Sequence, residues 1–124
     1  MTVKLSADPK AKRAKLTEMS KYISRMTDDE KRELIDQCGG VVRADGKTMS
    51  LHNSCLALLQ DQGCSMLAGY VGWQKLGRQV IKGAKSIGVW VPSGAKNDDG
   101  TPDFFMFRPV FDISQTEPIK QNLK

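Results

Sequence analysis

The sequence predicts an α+β fold in which helices of the N-terminal half pack on a small, mostly antiparallel sheet. Apolar residues recur at helical spacing up to about residue 60, whereas short apolar runs bounded by glycine and turn-forming residues follow from residue 66 onward. A chain of 124 residues with 40% hydrophobic content is long enough to form one domain with its own core. We therefore expect a single domain.

Three helices are predicted in the N-terminal half. Residues 9–26 place apolar side chains at helical spacing and lysines and arginines on the other faces, which is the pattern of a basic amphipathic helix. Thr27 is the predicted N-cap of a second helix, because three acidic residues follow it where the helix dipole favours them. Ser50 is the predicted N-cap of a third, leucine-rich helix that stops at Gly63.

The elements predicted for the C-terminal half are shorter. Residues 66–71 predict an extended segment, and residues 73–80 predict a short helix interrupted by Gly77. A strand is predicted at residues 86–91, followed by a loop rich in turn formers at residues 95–103.

The last strand, at residues 104–114, is the strongest strand prediction because aromatic and apolar residues fill both of its faces. Pro109 cannot donate to a ladder, so we expect an edge or a bulge there. After Thr116 the chain is polar and a loose tail is expected. The predicted organisation is a basic helix at residues 1–26 that belongs to or flanks the domain, the domain proper at residues 27–117, and a polar tail at residues 118–124.

The charge distribution favours a polyanionic partner. The net charge is +5 and the pI is about 9.2. No acidic residue occurs between Asp61 and Asp98, and this stretch interleaves aromatic residues with cations. Such a surface suits a nucleic-acid strand whose phosphates need neutralising and whose unpaired bases can stack. The alternative is an ordinary solvated face with its tryptophans in the core.

Several other classes of function are disfavoured. No apolar run is long enough for a signal peptide or a membrane span. The three cysteines are irregularly spaced, which predicts reduced thiols in a cytoplasmic protein, and together with His52 they match no metal-ligand spacing. Nuclease chemistry would need carboxylates clustered around metal ions, whereas the acids here lie in a helix cap and a polar loop, and Cys55 is expected in the core. We therefore expect no enzymatic activity, no metal or other cofactor, no membrane partner and no small-molecule substrate.

Three blocks of sequence, in this order, resemble the N-terminal domain of the ArdC-type antirestriction proteins of phages and plasmids. They are SLHN at residues 50–53, WQKLG followed by VIKGAK at residues 73–85, and VFDISQT at residues 110–116. The resemblance extends over roughly residues 4–117. It implies a module that binds single-stranded DNA, with RNA as a further alternative, and that protects the incoming DNA of a mobile element. A zinc-dependent metallopeptidase-like domain commonly follows this module in the family, but this chain has no His-Glu-x-x-His helix and no peptidase activity is implied.

Eight residues are candidates for the nucleic-acid site. Phosphate contacts are predicted for the cations of the acid-free stretch, with a further cation extending the track: Lys75, Arg78, Lys82, Lys85 and Arg108. Trp73 is predicted to stack on a base or, as the alternative, to pack under its helix. Asn53 and Gln115 either bond a base edge or sugar or hold a loop backbone in place.

A second hypothesis places the same basic face on a protein. The cations and exposed aromatics could dock on the acidic surface of a host defence protein and inhibit it. The basic N-terminal helix is either a second electrostatic contact or a solvated flank, and we favour the flank.

Overall fold

The structure, a computed structural model, describes residues 9–92, 97–100 and 105–120. The helices of this part are α1 Pro9–Ser24, α2 Asp28–Gln37, α3 Leu51–Gln60 and α4 Tyr70–Lys75. The strands are β1 Val42–Arg43, β2 Met66–Ala68, β3 Arg78–Val80, β4 Ile87–Pro92, β5 Phe105–Asp112 and β6 Thr116–Pro118. One 3₁₀ turn, Ile113–Gln115, separates β5 from β6.

The strands form a four-stranded sheet in the order β1-β2-β5-β4 and a separate pair of β3 with β6. Only β1 and β2 are parallel, and the other pairs are antiparallel. The predicted α+β fold with a small, mostly antiparallel sheet is confirmed. No helix in the described part of the chain is long and apolar enough to cross a membrane.

Helix α3 is the centre of the core. It packs against α1, α2 and β4, and its successive residues from Cys55 to Leu58 are all buried. One side meets the apolar face of α1, which includes Leu16 and Ile23, and the other side meets the sheet around Val89. A helix that is apolar on all sides is a buried helix, which explains why α3 has more than a single apolar face.

The predicted starts of α2 and α3 are confirmed, whereas α4 starts at Tyr70, within the segment predicted as extended. The Thr27 hydroxyl accepts a hydrogen bond from the Glu30 amide, and the Glu30 carboxylate accepts one from the Thr27 amide, which completes a capping box. The Ser50 hydroxyl accepts from the Asn53 amide at 3.1 Å. The helix ends are earlier than expected, since α1 stops at Ser24 and α3 at Gln60.

Two predictions for the C-terminal half are wrong. The segment predicted as a single helix is instead α4, a turn at Gly77 with φ of +79°, and strand β3. The chain after Thr116 is not loose up to Pro118, because it forms β6 and pairs with β3. Each of these strands has three residues, so only the pairing of segments distant in sequence stabilises them.

Strand β5 lies between β2 and β4, but Pro109 is in the part of β5 that pairs with β4 alone. Only Phe111 and Asp112 pair with β2, so Pro109 lies beyond the end of that strand and faces Gly88 of β4. This position agrees with the expected edge at Pro109. Most of the loop predicted at residues 95–103 lies outside the described residues.

Candidate nucleic-acid interface

A tight turn between β3 and β4 presents Lys82 to solvent. The Ala84 amide donates to the Ile81 carbonyl at 3.1 Å, and Gly83 adopts a φ of +88°. A positive φ at the third position alone defines a type II turn, and glycine adopts it without strain. Lys82 occupies the second position and is exposed. We call this element, residues 81–85, the Lys82 turn.

Gln115 holds both ends of the Lys82 turn. Its backbone carbonyl accepts from the Ile81 amide at 2.8 Å, and its side-chain Nε2 donates to the Lys85 carbonyl at 2.7 Å. Its Oε1 accepts from the Asp112 amide at 2.9 Å. Both ends of the Gln115 side chain therefore bond within the protein, as in the backbone-holding alternative.

Arg78 also joins two segments. Its Nε donates to the Thr116 hydroxyl at 2.7 Å and its Nη2 to the Thr116 carbonyl at 3.1 Å, which ties β3 to β6. The side chain is half-buried. Since a guanidinium has five N–H donors, part of Arg78 remains available for a phosphate.

The remaining predicted cations are exposed. They are Lys75 at the end of α4, Lys82 and Lys85 in the turn, and Arg108 on β5. Within the described ranges none of these four forms an ion pair with a carboxylate, and the ion pairs present lie in α1, α2 and the β1 turn. Among the described residues, the three lysines of the acid-free stretch and Arg108 are therefore exposed cations with no ion-pair partner.

Trp73 is in the core. Only 1% of its surface is exposed, and its indole N–H donates to the Phe111 carbonyl at 2.9 Å. The ring is not accessible to a base in this structure, so Trp73 has the packing role that was the alternative to stacking. Tyr70, on the same helix, is 53% exposed.

Asn53 and Gln60 bond the backbone groups of β4 at the edge of the sheet. The sequence patterns did not indicate Gln60. The Asn53 amide donates to the Trp90 carbonyl at 2.8 Å and accepts from its N–H at 2.9 Å. Gln60 makes the same pair of bonds with Gly88, both at 2.8 Å. The two amides replace a neighbouring strand along the edge of β4. A polar residue two helical turns after Asn53 in an otherwise apolar helix is the sequence feature that could have identified Gln60.

Trp90 is half-buried at the junction of α1, α3 and the sheet. Its ring stacks on Phe107 with centroids 3.6 Å apart, and its indole N–H donates to the Ser20 hydroxyl. The same hydroxyl lies 2.9 Å from Nε2 of His52. Burial, with a smaller contribution from the charge of Lys31, lowers the pKa of His52 below its ordinary value.

Asp112 is a buried carboxylate in the third sequence block. Burial alone would raise its pKa, but hydrogen bonds from Ser114 and from the Ser65 and Met66 amides outweigh burial and lower it. These bonds measure 2.6 to 3.0 Å. Asp112 therefore fixes β2 to β5 and caps the 3₁₀ turn.

The N-terminal helix also contributes to this side of the molecule. Lys12 donates through Nζ to the Ser86 carbonyl at 3.0 Å and to its hydroxyl at 2.8 Å. Burial lowers the pKa of the Lys12 ammonium. Because Ser86 follows Lys85 directly, this contact brings Lys12 of α1 next to the Lys82 turn. The interpretation of α1 as a solvated flank missed this contact, which no local pattern indicates.

The described residues contain no group of three or more His, Cys, Asp or Glu side chains that could hold a metal ion. The cysteines are free. Burial is the main cause that raises the pKa of Cys55, and burial with the nearby Asp61 and Asp112 raises that of Cys64 to about 12. Neither thiol has the electropositive, accessible surroundings of a reactive cysteine.

These observations define a single α+β domain with an exposed cationic turn. Its fold is similar to that of the antirestriction protein ArdC from plasmid R388. The Mn(II)-bound crystal structure of that protein gives a TM-score of 0.61 at 18% sequence identity, over 88% of this chain and 41% of that chain. The metal-free structure gives a TM-score of 0.52 at 15% identity, over 84% and 43%.

The predicted resemblance to an ArdC protein is thus confirmed at the level of the fold. The chain spans less than half of the ArdC chains that it matches. No protein-family model matches the sequence, and no curated protein sequence matches it.

Proposed function

We propose that this chain binds single-stranded DNA through Lys75, Lys82, Lys85 and Arg108, with Arg78 as a supporting contact and with no catalytic step. The observation that supports this most is the Lys82 turn. Its backbone is held at both ends by hydrogen bonds to Gln115 and across the turn by the bond from Ala84 to Ile81, while its two lysines are exposed with no carboxylate partner in the described residues. A pre-formed cationic turn gives phosphate contacts at a low cost in conformational entropy.

In this proposal, the other predicted residues act indirectly. Gln115 holds the Lys82 turn, Asn53 holds the edge of β4, and Trp73 anchors α4. Tyr70 takes over the stacking role first expected of Trp73, since its ring is exposed on the helix that ends at Lys75.

The biological setting that we propose is antirestriction: the chain would protect the incoming DNA of a mobile element from host defence. The fold likeness to the R388 antirestriction protein supports this setting. A coating that binds backbone phosphates would protect DNA of any sequence, which a mobile element entering many hosts requires.

A titration of labelled oligonucleotides tests the proposal. A single strand of about 16 nucleotides and the matching duplex would be titrated at about 50 and about 200 mM salt. Wild type would be compared with Lys82→Glu/Lys85→Glu and with a control of equal charge change at and just after the C-terminal end of α1, Lys21→Glu/Arg25→Glu. We expect salt-sensitive preference for the single strand that falls about tenfold or more in the turn variant and much less in the control. Equal losses in both variants, or weak binding by wild type, would contradict the proposal.

A protein partner is the second candidate, because large apolar side chains border the cations. The exposed ones in this region are Tyr70, Val71, Leu76, Ile81 and Ile119. The Ile119 amide donates to the Gly77 carbonyl at 3.0 Å, which places Ile119 at the turn that follows Leu76. Apolar groups beside cations suit docking on an acidic protein.

A Val71→Ser/Leu76→Ser variant separates the two candidates. Docking on a protein predicts that this variant keeps its oligonucleotide affinity but no longer protects a transferred plasmid in a restricting host. DNA binding predicts that protection follows oligonucleotide affinity across all variants.

A further inference from the structure

A cavity of about 210 Å³ lies between α1 and the β4–β5 pair. Its apolar wall includes Leu16 of α1 and Phe107 and Pro109 of β5. Three cations are also among the lining residues: Lys12, Arg13 and Arg108. Side chains alternate along a strand, so the Arg108 side chain leaves β5 on the face opposite Phe107 and Pro109, and Lys12 and Arg13 supply the charge beside the apolar wall. An apolar pocket bordered by cations is the combination that a nucleotide requires, since its base is largely apolar on both faces and its phosphate is anionic.

The fold holds the walls of this pocket in place. Helix α1 approaches β4 so closely that a Cβ atom on Gly88 would lie 2.6 Å from Cδ1 of Leu16. On the other side, the two hydrogen bonds from Lys12 to Ser86 tie α1 to the start of β4. The stacking of Phe107 on Trp90 fixes the ring that forms part of the apolar wall.

Arg13 is available to a ligand. It is exposed and forms no ion pair within residues 9–92, 97–100 and 105–120. A guanidinium can donate two parallel hydrogen bonds to one phosphate, so a guanidinium beside an apolar wall suits a phosphate attached to a base.

We propose that this pocket receives one unpaired nucleotide of the bound strand, with its base against Leu16, Phe107 and Pro109 and its phosphate at Arg13. This inference rests on the proposed function and adds to it the source of the preference for single strands. In a duplex the base is paired and cannot enter without being flipped out, whereas in a single strand it can turn into the pocket freely. The volume is below the roughly 300–1,000 Å³ of drug-sized sites, which favours one base.

The pocket continues the cationic surface of the Lys82 turn. Ser86 lines the pocket and directly follows Lys85. A strand that contacts Lys82 and Lys85 through its phosphates therefore has the pocket beside its path. The turn would set the salt dependence, and the pocket would set the dependence on a base.

The first test compares an oligothymidylate with a strand of the same length whose sugars have no bases. Wild type is expected to bind the oligothymidylate about tenfold more tightly. In Phe107→Leu this ratio should fall towards one. Arg13→Met, which removes the phosphate contact of the pocket, should bind the oligothymidylate several-fold more weakly, while Arg25→Met, a matched control away from the pocket, should keep the wild-type ratio and affinity. A wild-type ratio of one would overturn the pocket proposal while leaving phosphate binding intact. Failure of wild type to bind either strand would overturn the proposed function as well.

The second test does not depend on variants that might fold poorly. The full chain labelled with ¹⁵N would be titrated with thymidine monophosphate, with thymidine and with inorganic phosphate. We expect the monophosphate to shift the amide resonances of Gly88, Phe107, Arg108 and the first two turns of α1, and each fragment to shift them more weakly. Monophosphate shifts confined to the Lys82 turn, or equal shifts from inorganic phosphate alone, would contradict a nucleotide pocket.

Discussion

The junction of α3 with β4 and the Lys82 turn use polar groups in opposite ways. At the junction, the amide oxygen and the amide nitrogen of both Asn53 and Gln60 bond the backbone of β4. At the turn, backbone groups and Gln115 make the internal bonds, and the side chains of Lys82 and Lys85 stay exposed. The polar residues of a recognisable motif can therefore be structural, while residues of an unremarkable lysine pattern are the ones available for binding.

The largest effect is expected on the stability of the protein, from substitution of Asp112. The hydrogen bonds of this side chain are all within the protein, like those of Asn53 and Gln60. Asp112→Ala removes four hydrogen bonds, two of them from the amides of Ser65 and Met66, and should lower the free energy of unfolding by about 3 kcal/mol. Urea denaturation measures this. Asp112→Asn keeps the shape and should lose less.

The control for Asp112 is Asp36→Ala on the exposed surface of α2, which should stay within about 0.5 kcal/mol of wild type. Equal stability of Asp112→Ala and Asp36→Ala would contradict the structural role of Asp112.

Gln115 contributes both to stability and to the binding surface, because its internal hydrogen bonds hold the Lys82 turn. Gln115→Ala should lower the free energy of unfolding by about 1–2 kcal/mol and also weaken binding of the single strand several-fold, since Lys82 and Lys85 lose their fixed positions. Calorimetric unfolding and anisotropy titrations on one sample give both values. Gln79→Ala, which removes only an exposed hydrogen bond to Glu117, is the control. Unchanged affinity in Gln115→Ala would show that the turn needs no support.

The smallest effect concerns pH. The pKa of His52 in the folded protein is below the ordinary value of about 6.5, mainly because of burial, so the folded state favours neutral imidazole. As pH falls through about 6.5 the unfolded chain binds a proton that the folded chain does not, and stability decreases until the folded-state pKa is passed. Urea midpoints at pH 7.5 and at pH 5.5 should therefore differ more for wild type than for His52→Gln. An identical pH dependence of the two proteins would contradict this assignment.

Much of the fold follows from local sequence, and the failures have a common cause. The capping residues Thr27 and Ser50 and the spacing of apolar residues are local, and they predicted the starts of α2 and α3 correctly. Strands β3 and β6 were missed because each has three residues and is stabilised only by pairing with the other. The break at Gly77 was noticed, but glycine alone does not indicate whether a helix or a strand follows it.

For the candidate site, too, local sequence predicts exposure but not contacts between segments that are distant in sequence. The exposure of Lys82 and Lys85 could be expected from a glycine-rich, acid-free stretch. The partners of Asn53 and Trp73 could not, because the Trp90 and Phe111 backbones lie 37 and 38 residues away in sequence. The contribution of α1 was underestimated because nothing local places Lys12 beside Ser86.

The most direct test of the distinction between structural amides and binding cations measures stability and affinity together for Asn53→Ala and Lys82→Ala. We predict that Asn53→Ala loses about 2 kcal/mol of unfolding free energy but, while folded, binds an oligothymidylate with nearly the wild-type Kd. Lys82→Ala should keep its stability within about 0.5 kcal/mol and bind more weakly, with a salt dependence reduced by about 0.7 in the logarithmic slope. A folded Asn53→Ala protein that loses as much affinity as Lys82→Ala would contradict the account.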